Sequence, residues 1–114
     1  MLRIERSNEI VIPKGDTGMF TITIYGTTFD DDDEAIFAVV DKSGRTIFEK
    51  SIRFVNNTVT VRLTNAETKN MPIGKHNWDL RAVMNFEEDI TDVHSLFSMD
   101  GMPIFKVTGV STNV

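Results

Sequence analysis

The chain contains no cysteine, which rules out both a disulfide framework and any thiolate zinc site. Basic clusters are missing too: none of the twelve Lys and Arg residues adjoins another, and the net charge is -5. Phosphate backbones are held by clustered cations, so no nucleic-acid partner is expected. No stretch approaches the run of about eighteen apolar residues that reads as a membrane helix. The opening "MLRIERSNEIVIPKG" lacks the apolar centre of a secretory signal. These absences predict a protein without nucleic-acid or membrane partners, folded in the cytoplasm.

What remains is the composition of an ordinary globule. With 40% hydrophobic and 25% charged residues, the chain is too apolar for disorder. Its 114 residues suit a single domain, 1–114. The dominant hydrophobic period is two. Phe20, Ile22 and Ile24 alternate with Thr21 and Thr23; Val59, Val61 and Leu63 alternate with Thr58, Thr60 and Arg62. His76, Trp78, Leu80, Ala82 and Met84 alternate with Lys75, Asn77, Asp79 and Arg81. Such alternation gives a strand one face for a core and one for water. "AIFAVV", 35–40, is continuously apolar and reads as a central strand.

Turn signals divide these runs: "PKGDTG", Ser43-Gly44, Asn56-Asn57 and Asp100-Gly101. The Asn-Asn pair tolerates the positive φ that a tight hairpin needs. The one helical signal is "TNAETKNMP". There Thr64 and Glu67 have capping-box spacing and Pro72 stops further extension, predicting one turn near 65–70. Seven to eight strands at roughly ten-residue spacing predict an all-β, immunoglobulin-like antiparallel sandwich. Trp78 would anchor its core, and a closed barrel is the alternative.

Few residues offer chemistry. Asp30, Asp31, Asp32, Asp33 and Glu34 form an acidic run directly before "AIFAVV". A calcium loop started at Asp30 would place Asp32, Glu34 and Asp41 at ligand positions. Its sixth place, which needs glycine, is Ala35, and its second half is a strand. The run therefore reads as a solvated, charged turn beside an aggregation-prone strand, ahead of a metal cradle or an acidic docking patch. His76 and His94 stand outside any short ligand spacing, and His76 reads as a packed imidazole. Asp79 and Arg81 read as a solvated or loosely paired couple. No phosphate loop and no nucleophile elbow is present. No catalytic, cofactor-binding or metal residue is assigned, and no cofactor is expected. Phe97, Met99, Met102 and Phe105 bracket Asp100-Gly101. They either cap the core or form a contact surface, and they are the candidate interface.

The stretch "LTNAETKNMPIGKHNWDLRAV", residues 63–83, resembles a pattern in small prophage structural proteins of Gram-positive bacteria. These are similar to the N-terminal domain of the phage baseplate upper protein family. The residues that match are Thr68, Met71, Pro72, Gly74, Trp78, Asp79, Leu80 and Arg81. "IVIPKGDTGMFTITI" resembles the N-terminal strand pair of these proteins, and "FKVTGVST" their last strand. His76 stands where members carry an aromatic, and the hairpin "MNFEEDITDVHS" is longer than theirs. The resemblance implies an immunoglobulin-like sandwich serving as a virion, tail or baseplate structural module. It would associate with itself or with other phage structural proteins, without catalytic residues. A small ligand- or carbohydrate-binding sandwich is the other expectation, and it would need exposed aromatics.

Overall fold

The computed structural model describes residues 2–5, 8–24, 29, 33–87, 90–95 and 102–109, with 84–87 and 90–95 described as backbone. The first three strands are β1 (Arg3–Ile4), β2 (Ile10–Pro13) and β3 (Gly18–Thr23). β4 (Glu34–Val40), β5 (Thr46–Arg53) and β6 (Thr58–Leu63) follow, then α1 (Asn65–Lys69). β7 (Gly74–Glu87), β8 (Ile90–Ser95) and β9 (Ile104–Thr108) complete the order. No described helix is long and apolar enough to cross a membrane.

One sheet runs β1-β2-β9-β7-β4-β5, with β8 paired to β7; the second is the pair β3-β6. The order β9-β7-β4-β5 opposite β3-β6 is the G-F-C-C′ over B-E arrangement of an immunoglobulin-like sandwich. The all-β sandwich expectation holds, with two departures. There are nine described strands, because a two-residue β1 forms and "ITDVHS" pairs back on β7 as β8. The sheet is also mixed: β2 runs parallel to β9, from Ile10 opposite Phe105 to Pro13 opposite Thr108. Both strands run the same way along one edge of the sandwich, which sequence alternation cannot reveal.

The alternation read from sequence places the core. Val59, Val61 and Leu63 of β6 are fully buried, with Phe20 of β3 beside them. Facing them are Ala35, Phe37 and Val39 of β4, then Trp78, Leu80 and Ala82 of β7. Ile10, Ile12, Phe105 and Val107 close the same cluster. Phe37 is its centre, with ring centroids 5.6 Å from Phe20, 5.7 Å from Trp78 and 6.1 Å from Phe105. Each centroid spacing lies in the range where aromatic pairs add to simple burial.

The local signals act as the sequence predicts. Asn56 and Asn57 take φ of 51° and 61°, and Val55 and Thr58 exchange both backbone bonds across them. This is the backbone twist that a two-residue hairpin requires. Asn57 also ties the turn to its neighbours: its Oδ1 accepts from Phe29 N (2.7 Å), and its Nδ2 donates to Ile24 O (3.3 Å). Thr64 caps α1, with its Oγ1 accepting from Glu67 N (3.2 Å) while Glu67 Oε1 accepts from Thr64 N (2.8 Å). The five-residue helix is too short to persist alone, and tertiary bonds hold it. Thr68 Oγ1 donates to Asp16 O (2.7 Å), and Lys14 Nζ donates to Met71 O (3.1 Å).

Candidate functional site

The joint between α1 and β7 carries most of the residues singled out from sequence. Trp78 is 4% exposed, and its Nε1 donates to Asn8 O at 2.9 Å. Its backbone N donates to Pro103 O (3.0 Å), which brings the start of β9 alongside. His76, also buried, donates from Nε2 to Pro72 O at 2.8 Å. A carbonyl can only accept, so that bond places a proton on Nε2 and commits the ring to closing the α1-β7 connection. Pro72, His76 and Trp78 thus position chain.

Of the two readings of Asp79, solvated or loosely paired with Arg81, the first fails. It lies on the face of β7 opposite Trp78 but is 2% exposed. Arg81 Nε stands 3.7 Å from its Oδ2, with the guanidinium side chain 35% exposed. Period two assigns a side chain to a face, and it does not say how well that face is covered. Here Ala38 of β4, directly opposite Asp79, is fully buried as well.

Asp41 sits at the β4–β5 hairpin. Its Oδ1 accepts from Ser43 Oγ (2.6 Å), Ser43 N (2.9 Å) and Arg45 N (2.9 Å). The Ser43 hydroxyl, then the Arg45 N–H, hold the carboxyl below its ordinary range. The residue that calcium-loop spacing would put at the twelfth position is therefore committed to a turn. Of the acidic run, Asp30 to Asp32 lie outside the described residues. Asp33 is buried, and its carbonyl accepts from Phe54 N (3.4 Å). Among the described residues no three His, Asp or Glu side chains converge on a point where a metal ion could sit.

The candidate interface divides. Phe105 is fully buried against Phe37, so it belongs to the core and is corrected out of any contact surface. Its β9 position faces inward because it pairs with His76, whose side chain points to the core. Met102 is half-buried at the rim, its carbonyl accepting from Asn77 Nδ2 (3.1 Å). Phe97 and Met99 lie outside the described residues.

Shallow depressions lie at two places among the described residues. One, of about 410 Å³, lies between the Asp41–Ser43 turn and Ile73 to His76. The other, of about 510 Å³, lies at the end of the β3-β6 pair, between Met19, Arg62 and Leu63. Exposed apolar side chains adjoin both: Ile73 at 58% and Met19 at 57%. Met19 is legible as a signal, since it shares the solvent face of Thr21 and Thr23 where the alternation calls for a polar residue. The feature that sequence reasoning missed is β5. Among the described residues it ends the large sheet on the side away from β1, and it carries Glu49, Ser51 and Arg53 exposed on one face.

No protein-family model and no curated protein matches the chain.

Proposed function

We propose that the chain is a non-enzymatic structural and interaction module of a prophage particle, a tail- or baseplate-associated virion protein. The reading is carried by residues 63–83, through which the sequence resembles small phage structural proteins. In that stretch Thr68 docks the helix on the Asp16 carbonyl, Pro72 accepts from His76, and Trp78 reaches Asn8. The shared residues thus build a fold joint, which is what a common scaffold needs and what a common catalytic site would not need. A sandwich so built presents strand edges and half-exposed apolar side chains for assembly.

A carbohydrate-binding module would present aromatic rings to solvent, whereas Trp78 and Phe37 are spent on the core. The test is light scattering coupled to size exclusion, on the protein alone and mixed with the products of neighbouring genes. Self-assembly or capture of a co-encoded structural protein is expected. A strictly monomeric protein that captures no such partner, or one that turns over a small substrate, would overturn the reading.

A further inference from the structure

We infer that a second copy of this chain pairs with it through β5, antiparallel and centred on Ser51, continuing the large sheet across a twofold axis. The inference rests on the structural-module reading above and names the surface through which that module meets itself. β5 is eight residues long and pairs on one side with β4. No described strand lies on its other side, so its outward N–H and C=O groups are a template for another strand.

The charges on this edge select both occupant and register. An edge lysine ordinarily blocks such pairing, but Lys50 is tied inward. Its Nζ donates to Arg62 O (2.6 Å) and to Glu67 Oε1 (3.2 Å), within its own subunit. Glu49 and Arg53 are exposed and form no ion pair among the described residues; Arg53 stands opposite Glu34 in register without bonding it.

A twofold pair that keeps both copies' faces aligned must set residues of like parity opposite one another. Centred on Glu49, it puts Glu49 against Glu49; centred on Lys50, it puts Lys50 against Lys50. Centred on Ser51, Glu49 of each copy meets Arg53 of the other, and the small Ser51 side chains meet at the axis. Among pairs drawn from β5 itself, only that register sets opposite charges against each other, and it forms two such pairs. The strand is complementary to itself read backwards, which points to a second copy rather than a different protein.

The cysteine-free chain permits a direct test. Directly opposed residues of antiparallel strands have Cα atoms about 4.5–5.5 Å apart, within the span a disulfide bridges. Ser51→Cys should form a covalent dimer under mild oxidation, and Thr60→Cys, on the exposed face of β6, should remain monomeric. By sedimentation equilibrium, Arg53→Glu should weaken the dimer about tenfold by turning two attractive pairs repulsive. The swap Glu49→Arg with Arg53→Glu should restore it. Circular dichroism checks that each variant is folded. If the protein dimerises but Ser51→Cys does not lock it and Arg53→Glu does not weaken it, the β5 assignment is overturned while the module reading stands. A wild-type protein that is monomeric at millimolar concentration also overturns the assignment, and the module reading then rests on capture of a co-encoded partner.

Discussion

Replacing Trp78 with alanine should remove about 3–5 kcal/mol of folding stability, a large share of the roughly 5–15 kcal/mol that holds a domain folded. The indole is 4% exposed and lies 5.7 Å, centroid to centroid, from Phe37 at the middle of the core. Alanine leaves a void among Phe37, Leu80 and their neighbours, and β-sheets on both sides limit how far that void can collapse. Trp78→Phe separates packing from hydrogen bonding. It retains most of the ring but loses the donor to Asn8 O (2.9 Å). Because Asn8 is exposed, water can replace that donor, so the lost bond costs about 1 kcal/mol. The expected order is wild type, then phenylalanine, then alanine far below, with the alanine variant melting roughly 10–20 °C lower. Urea unfolding followed by circular dichroism measures all three, since the only tryptophan disappears with substitution. An alanine variant within about 1 kcal/mol of wild type would refute the reasoning. So would native tryptophan emission resembling indole in water.

Phe105→Asp should unfold the domain, whereas Met102→Asp should leave it folded, and one-dimensional NMR dispersion distinguishes the two outcomes. Thr64→Ala should cost about 1 kcal/mol by denaturant titration, since it removes the helix N-cap. Burial pushes the Glu67 carboxyl up, but the bonds from Thr64 and Lys50 outweigh it and leave the pKa below its ordinary 4.5. A lowered folded pKa means that this contribution is complete above about pH 4.5 and is lost as pH falls through the folded value. Glu67→Gln should flatten that region of the acid-unfolding curve, and an unchanged curve would count against the capping box. Asn57→Ala should cost at least about 1–2 kcal/mol in urea, because alanine keeps the β-carbon that opposes positive φ without the polar side chain that lets asparagine tolerate it, and two side-chain bonds vanish. Asn57→Gly, which relieves the first penalty, should fall between the two.

Much of this architecture is legible in the sequence because its signals are local. Alternation at Val59, Val61 and Leu63 and at Trp78, Leu80 and Ala82 names the buried faces. Thr64 with Glu67, and Asn56 with Asn57, fix a helix start and a hairpin through bonds spanning a few residues. The parallel β2–β9 contact joins residues 95 positions apart, Ile10 with Phe105 for example, and no local pattern encodes it. Asp79 and Phe105 escape sequence reading for a related reason. Whether a side chain on a known face meets solvent depends on what other segments bring over it. The candidate site is less legible than the fold. Glu49, Ser51 and Arg53 look like any solvated strand face until β5 is known to be the last strand on its side.

The parallel joint has a mechanical consequence. The start of β2 and the end of β9 lie at opposite ends of one paired ladder, and the two-residue β1, antiparallel to β2, precedes them in the sheet. Tension applied along the chain would first peel β1 from β2 and then slide β2 past β9, loading all four register pairs and the Lys14 N–H bond to Thr108 O together. In a hairpin with both ends on the same side, the bonds would instead rupture singly, in succession. A module joined in series through its ends would thus resist extension in shear, and its weakest direction would be one that peels β9 away sideways.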